Sequence, residues 1–155
     1  MELSDLLTPD GVVAGLAVAD KAALLAELGR RAGALLRLPP GPITEALQAR
    51  EQLGSTGLGK GFALPHARLE PLGRFLGMFV RLARLIAFDA IDDQPVGSVF
   101  LLLTPAAATP AEHLAALAAI SRRMSDPEVV RRIAAAASPA QIFAVLVGTN
   151  GQRAA

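Results

Sequence analysis

The chain has 155 residues, no cysteine and a formal net charge of +1. Its length predicts one domain, which we assign to residues 1–148, followed by a frayed polar tail at residues 149–155. The lack of cysteine excludes disulfides and thiolate chemistry, while the low net charge and the absence of Trp and Tyr leave nucleic-acid binding without support.

The N-terminal segment, MELSDLLTPDG, carries acidic residues early and has no long apolar run, so we expect no signal peptide. The chain contains no stretch of about eighteen uncharged apolar residues, so no membrane insertion is predicted. We therefore expect a cytoplasmic protein.

Capping residues and prolines define two helices in the first third of the chain. Asp20 suits the N-cap of a helix over residues 21–37, in which the leucines recur at helical spacing and form one apolar face. A pair of prolines ends this helix, and Pro42 suits the first position of the next one. We expect that second helix to end near Gly54.

A Gly-rich segment, GSTGLGKG, runs from Gly54 to Gly61. It is one residue short of a P-loop, because Gly61 stands where a P-loop requires Ser or Thr to hold Mg²⁺. A P-loop also follows a strand and opens a helix, whereas this segment follows a helix and leads into a strand. A nucleotide site, a plain glycine turn and a loop that holds a phosphoryl group all stay open at this point.

The first of the two histidines, His66, stands just after this segment. Residues 62–64 predict a short buried strand that Pro65 ends, because proline cannot donate to a sheet ladder. His66 is then left at the end of the strand, beside the loop. Loop amides and the hydroxyls of Ser55 and Thr56 can donate hydrogen bonds to an anion, so this segment is typical of a phosphoryl-group site.

Two apolar runs bounded by turn signals predict strands over Phe75–Leu82 and Ser98–Leu103. The second has the composition of a central strand that is buried on both faces. Residues 85–88 are a weaker strand candidate, and Asp92–Pro95 predicts a turn.

Three further helices are predicted near the C-terminus, each opened by a capping residue and a proline: residues 110–124, 127–137 and 139–147. Helices, then strands, then helices again imply an α/β fold. We predict a three-layer sandwich, in which a mixed β-sheet is flanked by helices on both faces.

His113 and Arg50 are candidate partners of His66. His113 lies in the first turn of a predicted helix and on its apolar face, where it is either a core residue or a donor to a phosphoryl group. Arg50 lies near a helix C-terminus, where it either complements the helix dipole or reaches an anion on the Gly-rich loop. Whether the three side chains converge is left open by the sequence.

Other site chemistry has weaker support. Two histidines without cysteine lack the spacing of a zinc finger, although Glu70, Asp89 or Asp92 could complete a metal site. No G-x-S-x-G elbow accompanies His66, so a Ser-His-Asp triad is not indicated. We expect no metal and no small cofactor.

The residues around His66 resemble those of a known family. The run from Arg50 through LGSTGLGKGFALPHARLE, together with FDAIDDQPVGSVFLLLTP and AEHLAALAAISRRMSDPEVVRRI, is similar to fructose/mannitol-type enzyme IIA domains. These domains belong to the bacterial phosphoenolpyruvate:sugar phosphotransferase system. The resemblance covers residues 2–147, and the opening LSDLLTP and the single-domain length are most similar to the nitrogen-regulatory enzyme IIA.

The resemblance implies a phosphocarrier that accepts a phosphoryl group from a histidine-containing phosphocarrier protein. It also implies regulation of other proteins, such as kinases, channels or transporters. His66 is then the phosphorylated residue, through Nε2, with His113 and Arg50 beside it. The implied pocket lining is Ser55, Thr56 and Gly57. A sugar-uptake enzyme IIA that passes the phosphoryl group to an enzyme IIB is the alternative within the family.

Overall fold

The computed structural model describes residues 1–148, so the predicted tail at residues 149–155 lies outside the described residues. Within them, six strands form one mixed sheet in the order β1-β5-β6-β3-β2, with β4 also paired to β6. The strands are β1 (Val12–Leu16), β2 (Gly57–Gly59), β3 (Phe62–Ala63), β4 (His66–Leu69), β5 (Leu76–Ile86) and β6 (Val96–Pro105). The α-helices are α1 (Lys21–Leu36), α2 (Pro40–Gln52), α3 (Pro110–Met124), α4 (Pro127–Ala135) and α5 (Pro139–Val147).

The central antiparallel pair of β5 and β6 divides the core into two apolar clusters. Because side chains alternate along a strand, Met78 faces one cluster while its neighbour Phe79 faces the other. Buried leucines of α1 and α2 cover the first face, and α3, α4 and α5 cover the second. The predicted three-layer α/β sandwich is therefore confirmed.

The predicted N-cap residues lie at the starts of the observed helices. The side chains of Asp20 and Ser138 each accept a backbone N–H at the start of their helix, and Thr109 forms a full capping box with Glu112. The prediction for α2 was wrong by two residues, since this helix begins at Pro40. Both of its prolines fit because the first N–H groups of a helix have no intrahelical partner.

The strand predictions need three corrections. Pro65 interrupts the edge of the sheet but does not end it: Phe62 pairs with Ser98 of β6, and His66 resumes in the same register opposite Leu102. His66 is therefore the first residue of β4, whereas the prediction placed it after the end of a strand. β5 extends to Ile86 and so takes in part of the weaker candidate. β1 and β2 were not predicted, because both are short and contain glycine.

Candidate functional site

The imidazole of His66 is held through both of its nitrogens. Nδ1 lies 2.8 Å from the carbonyl oxygen of Leu64, which can only accept a hydrogen bond, so Nδ1 carries the proton. Nε2 lies 3.2 Å from Nε of Arg50, whose N–H donates to the nitrogen lone pair. This pair of contacts selects the tautomer in which Nε2 is unprotonated and nucleophilic.

Arg50 reaches His66 from the last turn of α2. Its Nη1 donates to the carbonyl oxygen of Gly54 at 2.9 Å, which fixes the guanidinium against the start of the Gly-rich segment. The predicted approach of Arg50 to this loop is therefore seen in the structure, with the Nε–H of the guanidinium directed at the His66 ring.

His113 lies in the first turn of α3, with its ring centroid 5.7 Å from that of His66 and the two rings tilted by 50°. Its Nδ1 lies 2.8 Å from Oγ1 of Thr104, a residue of β6 that is fully buried. The His113 side chain is only partly buried and has a hydrogen-bond partner, so the choice between a core residue and a donor to a phosphoryl group stays a prediction.

The surroundings of both histidines lower the pKa of their rings. Burial lowers the pKa of His66 below its ordinary value near 6.5, against the opposing effect of the Leu64 carbonyl, and the charge of Arg50 lowers it further. Burial also lowers the pKa of His113, helped by His66 and by the guanidinium of Arg68. These shifts favour the unprotonated form of the His66 ring, which lies beside the guanidinium of Arg50.

The hydroxyls of the Gly-rich segment have other partners in this arrangement. Ser55 Oγ donates to the carbonyl oxygen of Phe88 at 2.8 Å, and Thr56 Oγ1 donates to a carboxylate oxygen of Glu51 at 2.6 Å. Gly57 pairs with Ala63, so β2 and β3 form a hairpin. This segment is therefore a helix-to-hairpin connection, without the strand and helix that flank a P-loop.

Sequence reasoning missed three residues around the histidines. Glu51 is one of these, and its position was a signal, because an acid in the last turn of a helix opposes the helix dipole and so requires a partner. Thr104 was missed because the predicted strand ended at Leu103, one residue before it, and Arg68 was missed because β4 was not predicted. Once the strand is known, Arg68 falls on the same face as His66, because it follows His66 by two residues in β4.

The described part of the chain shows no assembled metal site, which the sequence left as a weaker alternative. Within residues 1–148, no group of three or more His, Asp or Glu side chains is placed to hold a metal ion. Asp92 accepts the N–H of Lys60, and Asp89 lies 3.5 Å from Lys21. Among the described residues, no helix is both long and apolar enough to cross a membrane.

Comparison with known proteins places this chain in one family. The family model for the phosphoenolpyruvate-dependent sugar phosphotransferase system, EIIA 2, matches residues 5–148. The chain therefore belongs to this enzyme IIA family, as its resemblance predicted.

Individual relatives refine the comparison. A nitrogen regulatory protein of Bradyrhizobium diazoefficiens is 39% identical over 146 residues, covering 94% of this chain and 95% of the relative. The crystal structure of nitrogen regulatory protein IIA-Ntr from Neisseria meningitidis superposes with a TM-score of 0.87 at 32% identity, covering 93% of this chain and 98% of that one. A fructose-specific EIIA component of Haloferax volcanii is 36% identical, but over only 66% of each chain.

Proposed function

We propose that this protein is a histidine phosphocarrier of the nitrogen-regulatory type, which accepts a phosphoryl group on Nε2 of His66. The observation that carries the proposal is the contact between Nδ1 of His66 and the Leu64 carbonyl oxygen, from which the tautomer of the ring follows. A proton on Nδ1, held by the Leu64 carbonyl, leaves a lone pair on Nε2 beside a guanidinium.

The proposed reaction is an exchange between two imidazoles. The Nε2 lone pair of His66 forms the new N–P bond as the N–P bond of the donor phosphohistidine breaks, and the donor imidazole keeps that electron pair. Nδ1 of His66 keeps its proton throughout. As the ring becomes more positive, its Nδ1–H donates more strongly to the Leu64 carbonyl, which stabilises the product.

Arg50 and His113 are proposed to stabilise charge on the phosphoryl oxygens. The Arg50 N–H that now meets Nε2 turns to the phosphoryl group once the lone pair is used. If the Thr104 hydroxyl donates to Nδ1 of His113, the proton of that ring lies on Nε2, where it can donate to the same group. No metal is required for either role.

The donor and the regulated partners are proposed to be proteins. Leu53, three residues after Arg50, is 84% exposed, and Leu114, next to His113, is 64% exposed. A protein that docks over the two histidines would contact these exposed apolar side chains. We propose a histidine-containing phosphocarrier protein as donor, with kinases, channels or transporters as classes of regulated target.

The test is phosphoryl uptake from phosphoenolpyruvate through enzyme I and a histidine-containing phosphocarrier protein, followed by intact mass. We expect a gain of one acid-labile phosphoryl group in the wild type and none in His66→Ala. Uptake by a folded His66→Ala variant would refute the assignment. Onward transfer to an enzyme IIB and then to a sugar would favour the sugar-uptake alternative instead.

A further inference from the structure

We propose that Glu51 is a positioning residue for phosphoryl transfer, acting through the backbone that holds His66. The inference rests on the proposed function and concerns a residue that does not touch the reacting atoms. Its carboxylate is linked to the His66 ring by a continuous series of hydrogen bonds.

The first link is a carboxylate with three donors. The Glu51 side chain is only 6% exposed. It accepts the backbone N–H of Thr56 at 2.8 Å and the Thr56 hydroxyl at 2.6 Å, and Nζ of Lys21 lies 2.8 Å away. Burial by itself raises the pKa of Glu51, but the hydrogen bonds from Lys21 and Thr56 outweigh it, so the net pKa lies below the ordinary value. The group is a fixed, ionised acceptor.

The second link runs through the backbone to the imidazole. The carbonyl oxygen of Thr56 accepts the N–H of Leu64 at 2.9 Å. The carbonyl oxygen of Leu64 in turn accepts Nδ1–H of His66 at 2.8 Å. Glu51 thereby fixes Thr56, Thr56 fixes Leu64, and Leu64 sets both the tautomer and the orientation of the ring.

Glu51 also ties this series to the first helix. Lys21 is the first residue of α1, and besides meeting Glu51 its Nζ lies 3.3 Å from the carbonyl oxygen of Phe88 and 4.6 Å from the centre of the Phe88 ring. Ser55 donates to the same carbonyl. The acceptor ring is thus anchored to α1, α2 and the segment after β5, although His66 itself lies on the edge of the sheet.

Glu51→Gln tests the inference because it keeps the side-chain shape while removing the charge and one acceptor oxygen. Glu45→Gln is the matched control, since Glu45 is an exposed residue of the same helix and the charge change is equal. Uptake is measured in single turnover from the phosphorylated phosphocarrier protein, and the tautomer of His66 is measured by ¹⁵N NMR of the unphosphorylated protein.

We expect Glu51→Gln to slow uptake by about 10- to 100-fold, as misplacement of a reacting group does, and to populate a second His66 tautomer. Glu45→Gln should keep the wild-type rate and spectrum. Wild-type behaviour of Glu51→Gln in both measurements would overturn the inference. So would a loss of rate that only follows the unfolded fraction, with the tautomer unchanged.

If Glu51→Gln does not fold, Thr56→Val decides, because it removes the hydroxyl donor and keeps the buried volume. A change of tautomer ratio in Thr56→Val supports the inference, and a wild-type ratio overturns it. Failure of the wild type itself to take up the phosphoryl group would refute the proposed function instead. The NMR measurement would still report on Glu51 in that case.

Discussion

At the scale of single residues, the two histidines have different hydrogen-bond partners although their rings lie 5.7 Å apart. Nε2 of His66 accepts the N–H of Arg50, while Nδ1 of His113 lies 2.8 Å from the Thr104 hydroxyl. Under the proposed function, Nε2 of His66 is the phosphoryl acceptor and Nε2 of His113 is a hydrogen-bond donor to the same group.

The first residue-scale prediction concerns His113→Ala. Since the side chain is only partly buried, the free energy of unfolding should change by about 1 kcal/mol or less. Loss of one preorganised donor should slow phosphoryl uptake by roughly 10²- to 10³-fold. Urea unfolding and single-turnover transfer measure the two effects separately. A stable variant that transfers at the wild-type rate would show that His113 has no part in the reaction.

The second residue-scale prediction concerns pH. Because burial lowers the pKa of both histidines, each should titrate below its ordinary value near 6.5. The unfolded chain then binds more protons than the folded one in the window just below pH 6.5. The free energy of unfolding should therefore fall as the pH is lowered through that window. Above the window, the contribution of the two histidines to stability should be fully present. Phosphoryl uptake should fall in the same direction, as the His66 lone pair becomes protonated.

An NMR titration of the two histidine rings checks this directly, with the His66→Ala variant used to assign the signals. Because the rings interact, the midpoints belong to the pair as well as to each residue. A midpoint for His66 above 6.5 would contradict the proposed environment of its ring.

The site residues were only partly predictable from the sequence. His66, His113 and Arg50 stood out because each is a chemically distinctive side chain next to a helix end or a glycine-rich segment. Glu51 and Thr104 did not, because their roles depend on contacts made across elements, with Lys21 in one case and His113 in the other. The Leu64 carbonyl has no sequence signal at all, since every residue carries one.

At the scale of elements, the hairpin of β2 and β3 depends on a close approach to the segment after β5. A Cβ atom on Gly57 would lie 2.8 Å from Cβ and 2.9 Å from Cα of Ala90, closer than such atoms come in real structures. Gly57→Ala should therefore destabilise the protein by about 1–3 kcal/mol, as overpacking does, measured by urea unfolding.

Gly41→Ala is the matched control for this prediction. Gly41 lies in the first turn of α2, and a Cβ atom there would meet nothing within 4 Å. Alanine should be neutral there or stabilise the helix by up to about 1 kcal/mol. Equal stability of the two variants would contradict the tight contact between Gly57 and Ala90.

Helices that begin with a capping residue and a proline were predictable from the sequence. Strands that depend on pairing with another strand were not. Capping residues with a following proline located α3 and α5 to the residue. Pro65 misled the strand prediction because its missing N–H faces a gap in the ladder, while its carbonyl still accepts the N–H of Leu102. β2 exists because β3 pairs with it, which its glycine-rich sequence does not indicate.

At the scale of the whole molecule, the site joins all three layers of the sandwich. Arg50 comes from α2 on one face of the sheet, His66 from β4 in the sheet, and His113 from α3 on the other face. A phosphoryl group at this junction adds a charge of about −1.5 to −2 to a chain whose formal net charge is +1. Such a change at a partly buried site can alter which proteins bind there.

The most direct test of the central claim is ¹⁵N and ³¹P NMR of the phosphorylated protein with ¹⁵N-labelled histidine. We predict that phosphorus is bonded to Nε2 of His66 and that Nδ1 of the same ring stays protonated, hydrogen-bonded to the Leu64 carbonyl. The account would be contradicted by phosphorus on His113 or on Nδ1 of His66. It would also be contradicted if no phosphohistidine formed while the donor protein was fully phosphorylated.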